Sequence, residues 1–79
     1  EILSVESQME EFMYLGLRMT RGISKAEFER QFVSEIDAIY GDVLRKYKSM
    51  GLLLEENGRI FLSREGIHVS NSVMADFLP

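Results

Sequence analysis

The sequence predicts an α+β fold, and three observations in its second half carry that prediction. Val43, Leu44 and Tyr47 recur at helical spacing up to Gly51, a residue free to adopt the positive φ that ends helices. Leu52-Leu53-Leu54-Glu55-Glu56 then meets Arg59-Ile60-Phe61-Leu62 across Asn57-Gly58, the strongest short-range signal for a β-hairpin. Ser63 follows as an N-cap for a last helix running to the C-terminus. A helix that leads directly into a hairpin is the centre of a winged-helix-like arrangement, with the hairpin as wing. The expected architecture is three helices, one two-stranded wing and a C-terminal helix, in a single domain covering residues 1–79.

The first helix is expected to begin near Ser4. Met9, Phe12, Met13 and Leu17 form a stripe at i, i+3, i+4 and i+8, while Glu6, Glu10 and Glu11 bring negative charge to the N-terminal half. Leu15 and Met19 widen the apolar face beyond one stripe, which implies burial on two sides or a face awaiting a partner. Arg21-Gly22 is expected to end this helix, with Gly22 as the residue after its cap. Ile23-Ser24 leads into the second helix, where Ser24 and Glu27 have the spacing of a capping box. Phe28 and Phe32, four apart, point the same way into the core. The pattern resets at Val33-Ser34. Ile36, Ile39, Tyr40, Val43, Leu44 and Tyr47 then mark a third helix to Met50, with Gly41 as a place where it starts late or bends.

A two-residue loop at Asn57-Gly58 fixes the hairpin register. It sets Glu56 opposite Arg59, Leu54 opposite Phe61 and Leu53 opposite Leu62, with charge at the tip and apolar pairs at the base. The last helix carries Ile67, Val73, Met74, Phe77 and Leu78, interrupted by Ser70 and Asn71. The expected core comprises Phe12, Leu17, Phe28, Phe32, Ile39, Leu44, Tyr47, Leu52, Leu62 and Phe77.

Seventy-nine residues with no cysteine exclude disulfides and thiolate metal sites, and fit a cytoplasmic protein. No apolar run approaches the length of a membrane span, and no signal peptide opens the chain. The chain starts at Glu1 instead of an initiator Met, and is expected to be a fragment of a larger protein. A net charge of −4 argues against a nucleic-acid backbone as partner. Arg45, Lys46 and Lys48 make the third helix mildly basic, either as a solvated face or, with Arg59 at the wing tip, as a nucleic-acid surface.

Catalytic chemistry finds little support in the residues. Nucleophilic catalysis needs a hydroxyl or thiol beside a positioned base, and His68 is the one histidine, tied to no partner in sequence. Glu10-Glu11 and Glu55-Glu56 fall on a helix flank and a hairpin tip, where carboxylates are solvated. The six glycines are scattered, so no phosphate-binding loop is present. The chain by itself is expected not to be an enzyme, with no catalytic, cofactor-binding or metal-binding residue.

Leu15-Gly16-Leu17-Arg18, Gly22-Ile23 and the Phe28…Phe32 pair resemble the C-terminal domain of the oxygen-independent coproporphyrinogen III oxidase family. Gly51-Leu52-Leu53, Leu62-Ser63-Arg64-Glu65-Gly66, Asn71 and Phe77-Leu78 agree with it, so the resemblance runs from about Met9 to Leu78. Val33 stands where the family often has Gly, and Ser63 where it often has Thr. The family consists of radical S-adenosylmethionine proteins of haem and porphyrin biosynthesis. Some oxidatively decarboxylate coproporphyrinogen III, and others resemble haem-binding chaperones. The resemblance implies a parent protein whose missing N-terminal barrel binds a 4Fe-4S cluster and S-adenosylmethionine through a CxxxCxxC loop, and which meets a tetrapyrrole or haem. No residue here matches that loop. The chain is then a non-catalytic accessory domain that packs on the barrel and shapes its cleft. The alternative is a winged-helix nucleic-acid-binding or protein-interaction domain.

Arg18 is the candidate contact with the parent's other domain or its ligand. As the end of the first helix, it suits a helix cap or an ion pair with a nearby carboxylate. Equally, its planar guanidinium suits bidentate recognition of a carboxylate across a domain interface, a tetrapyrrole propionate included.

Overall fold

A computed structural model describes residues 4–77 of the chain. The terminal Glu1 and Pro79, and Leu78 expected on the last helix, lie outside the described residues. The elements are α1 (Val5–Leu17), β1 (Ile23–Ser24), α2 (Lys25–Phe32), α3 (Ile36–Ser49), β2 (Leu53–Glu56), β3 (Arg59–Leu62), α4 (Arg64–His68) and α5 (Ser70–Ala75). The fold is α+β. Three antiparallel strands lie in the order β1-β3-β2.

Three serines begin three of these helices by satisfying amide donors that no helical carbonyl can reach. Ser4 accepts from the Ser7 amide at 3.1 Å, Ser24 from that of Glu27 at 3.2 Å, and Ser63 from that of Gly66 at 3.0 Å. Ser63 is itself buried and donates to the Gly51 carbonyl at 2.6 Å, which pins the start of α4 to the end of α3. The hairpin turn holds Asn57 at φ 53° and Gly58 at φ 76°, the double positive φ of a type I′ turn. Its register is the expected one, with Glu56 paired to Arg59, Leu54 to Phe61 and Leu53 to Leu62.

Four features depart from expectation. The sheet has a third strand, because Ile23 and Ser24 pair with Ile60 and Arg59 before the chain enters α2. Helix α1 ends at Leu17 with Arg18 as its cap, three residues earlier than Gly22 suggested. Two turns, Met19 N–H to Gly16 O at 3.1 Å and Gly22 N–H to Met19 O at 2.9 Å, bring the chain down onto the sheet. Gly22 is at φ 72°, but it serves the approach to β3 instead of a helix cap. The C-terminal helix is divided at Val69, whose φ of −118° and ψ of 28° are not helical.

The fourth departure is Ile39, expected in the core and 46% exposed. The inward face of α3 runs through Ile36, Gly41, Leu44 and Tyr47, and a non-helical Tyr40 (φ −117°, ψ 15°) bends the helix beside Gly41. Ile39 falls outside that face. Phe12, Phe32, Leu52 and Leu62 are half-buried at the margin of the core, and Leu17, Phe28, Leu44, Tyr47 and Phe77 are within it.

The core is aromatic at its centre. Phe28 lies 5.5 Å from Phe12, 4.7 Å from Phe32 and 6.2 Å from Tyr40 between ring centroids, and Tyr40 lies 5.2 Å from Phe77. Mostly edge-on, these rings connect α1, α2, α3 and the C-terminal segment in the geometry that aromatic quadrupoles favour.

Val33 caps α2 in the left-handed conformation, at φ 53° and ψ 36°, with its side chain 88% exposed. A β-branched residue is strained there, and no burial offsets the strain. Val33→Gly is therefore expected to stabilise the domain by about 0.5–1 kcal/mol, the relief of strain less the extra freedom of an unfolded glycine. Thermal denaturation of the two forms checks this. A lower melting temperature for the glycine variant would refute it.

Candidate functional site

Arg18 sits at the C-cap of α1, exposed, directly after the buried Leu17. Its guanidinium turns back one helical turn, donating from Nη1 to the Tyr14 hydroxyl at 3.3 Å, with Cζ 5.2 Å from the centre of the Tyr14 ring. No carboxylate among the described residues forms an ion pair with it. The capping of α1 at this position comes from the Arg18 backbone amide, which bonds to the Gly16 carbonyl. The side chain is thus held on the surface of α1 by a tyrosine, a partner that the sequence did not single out.

Around Arg18 lies an uncovered apolar surface. Leu15 is 55% exposed and Met19 61%, and Tyr14 is exposed beside them. These are the residues that lie off the Met9–Phe12–Met13–Leu17 stripe, whose members are buried in the core or packed against it. On one side of Met19, α1 and the β1–α2 corner enclose an open groove of about 720 Å³ whose lining includes Phe12, Leu15, Met19, Ile23, Glu11 and Glu27. On the other side is a hollow of about 210 Å³ between Arg18, Met19, Leu62, Ile67 and Met74.

The groove owes its shape to Gly16. A Cβ at that position would lie 2.2 Å from Cγ2 of Ile23, so α1 crosses β1 at a distance that only glycine permits. Ile23 is buried, so it has no room to retreat.

The mildly basic third helix is electrically closed. Arg45 pairs with Asp42, Lys46 with Asp76 at 2.9 Å, and Lys48 with Glu55. Lys25, at the start of α2, bridges Asp37 at 3.0 Å and Glu55 at 3.2 Å. Hydrogen bonding from Lys48, and then from Lys25, holds the Glu55 carboxyl below its ordinary range, while the bond to Asp37 leads in holding Lys25 above its own. Asp76 accepts from the Tyr47 hydroxyl and from Lys46, in that order of effect, and its pKa is lowered in consequence. Such neutralised side chains release few counterions to a polyanion. Arg59, at the wing tip, starts β3 opposite Ser24.

His68 is exposed at the end of α4, and no group of three or more metal-ligating side chains is gathered among the described residues. No helix of the described residues is long and apolar enough to cross a membrane. What the arrangement offers is surface: an apolar strip beside an arginine, flanked by two hollows.

Residues 3–69 match the model of a family described as the HemN C-terminal domain. The chain is 35% identical over 78 residues to a heme chaperone HemW of Lactococcus lactis subsp. lactis, covering 99% of this chain and 21% of that protein. It is 33% identical over 76 residues to a heme chaperone HemW of Bacillus subtilis, covering 96% of this chain and 20% of that protein. The chain thus spans about a fifth of the length of these relatives. No solved structure matches it.

Proposed function

Because this chain belongs to the HemN C-terminal domain family, we propose that residues 1–79 form a non-catalytic accessory domain of a longer haem-chaperone-like protein. The domain docks through the end of α1 on the remainder of that protein and helps to shape its ligand cleft. The observation that carries this reading is the exposure of Leu15 and Met19. Contiguous apolar surface rimmed by polar groups is the mark of an interaction site, and burying it stabilises by about 25 cal/mol per Å².

The names of the two relatives favour the chaperone branch over the oxidase branch. On this reading the parent is a cytoplasmic radical S-adenosylmethionine protein that meets haem or a related tetrapyrrole. Its 4Fe-4S cluster needs thiolate ligands, and these 79 residues contain no cysteine, so the cluster and S-adenosylmethionine belong to the remainder of the parent. The element order helix, strand, helix, helix and hairpin, with β1 against the second hairpin strand, supports a winged-helix description. The carboxylate partners of Arg45, Lys46 and Lys48 weigh against its use on nucleic acid.

Arg18 takes the interdomain role: it meets a carboxylate of the remainder of the parent, or a propionate of the tetrapyrrole. Tyr14 holds the guanidinium ready on the surface and leaves most of its donors free for that contact. In the full-length parent, Leu15→Glu combined with Met19→Glu is expected to expose the interdomain connection, raising its proteolytic nicking rate by about tenfold, or ~1.4 kcal/mol. In the same series Arg18→Lys is expected to weaken docking or haem affinity by a similar factor. All three side chains are exposed, so the domain's own fold is spared. Nicking and haem affinity both at wild-type values across the series would refute the reading.

A further inference from the structure

The groove between α1 and the β1–α2 corner is chemically lopsided. Its walls are apolar at Phe12, Leu15, Met19 and Ile23, and two carboxylates, Glu11 from α1 and Glu27 from α2, line the same space. Neither carboxylate has an ion-pair partner among the described residues. Asp37, Asp42, Glu55 and Asp76 each face a lysine or arginine of the domain itself, and the other described carboxylates do not; Glu11 and Glu27 differ from the rest of those in lining one apolar groove. Glu11 and Glu27 come from different helices and line one groove, beside the close crossing of α1 over β1 at Gly16.

We infer that this groove seats an apolar segment of the parent's remainder that carries a lysine or arginine side chain between Glu11 and Glu27. The inference rests on the docking reading above and adds the chemistry of the occupant. Apolar walls take the aliphatic stem of such a side chain, and the two carboxylates take its charged end. A volume of about 720 Å³ is room for several side chains, within the range of ordinary binding clefts. An anionic occupant such as a propionate-bearing tetrapyrrole is disfavoured here, since both carboxylates would be desolvated against like charge.

A photo-cross-linking amino acid placed at position 19 of the full-length parent tests this, with the cross-linked peptide sequenced by mass spectrometry. The expected product is an intramolecular link to an apolar peptide containing Lys or Arg. Its yield should fall about tenfold in Glu11→Lys/Glu27→Lys. Glu11→Gln/Glu27→Gln, which keeps the shapes, should show a smaller fall. A link to a segment without a basic residue, or one indifferent to both double variants, overturns the inference and leaves docking intact. So does a link from position 18 with none from position 19. Absence of any link from both positions overturns the docking reading, and the inference with it.

Discussion

Gly22→Ala is expected to cost about 3 kcal/mol or more, most of the few kcal/mol that holds a domain of this size together. Two penalties coincide. The residue sits at φ 72°, where a Cβ costs roughly 1–2 kcal/mol. That Cβ would also lie 2.0 Å from the carbonyl oxygen of Ile60 and 2.7 Å from Cβ of Phe61. Ile60 belongs to β3, the central strand, and is fully buried, so the obstructing atom is backbone that cannot swing aside. Urea denaturation followed by circular dichroism measures the loss. Gly58→Ala is the internal control, because Gly58 shares the positive φ at 76° but has nothing within 4 Å of its virtual Cβ. It should lose the conformational part alone. Equal losses at the two positions would show that the approach of the α1–β1 loop to β3 contributes nothing.

Phe28→Ala is expected to be as damaging, at about 3–5 kcal/mol, the usual range for emptying a buried phenylalanine site. Phe28 has no exposed surface and contacts three other rings, those of Phe12, Phe32 and Tyr40. These rings come from three different helices, so the cavity would lie where α1, α2 and α3 meet. Phe28→Leu retains apolar volume and loses ring-to-ring geometry, and a loss of roughly 1–2 kcal/mol is expected from it. The same denaturation series reads both. An alanine variant within about 1 kcal/mol of wild type would mean that neighbouring side chains collapse into the space, contrary to the packing seen.

The legible parts of this fold are those set by local chemistry. Asn57-Gly58 dictates a turn type, the turn dictates a register, and all three expected pairs are found. Ser24 and Ser63 needed only their own next turn of amides to act as caps. Strand β1 was not legible, because two residues show no period and Ile23-Ser24 pairs with residues more than thirty positions away. Gly22 was recognised as special, but for a helix end instead of the approach to β3. The break at Val69 falls beside the interruption at Ser70 and Asn71, a visible signal that the expectation of one continuous helix passed over. At the candidate site, Leu15 and Met19 signalled themselves by falling off the core stripe, and Arg18 by its place after Gly16-Leu17. Tyr14 as the partner of Arg18 is an i, i+4 relation that could have been read. The place of Glu11 and Glu27 in one groove could not, since it depends on how α2 lies against α1 after the unrecognised strand.

The strand order leaves β2 with one side open. An open strand offers its unmatched amides and carbonyls to any extended chain that comes near, including another copy of itself. Here the invitation is short and guarded. β2 has four residues, two of them Glu55 and Glu56, and Lys48 and Lys25 both reach across to Glu55. A second copy adding in parallel register would set Glu55 and Glu56 alongside their own counterparts, like charge against like. At the far side of the sheet β1 is two residues long, too brief to template anything. The domain can therefore expose a sticky apolar face on its helices without also being prone to sheet-to-sheet fibre growth, which keeps its associations confined to the surface around Met19.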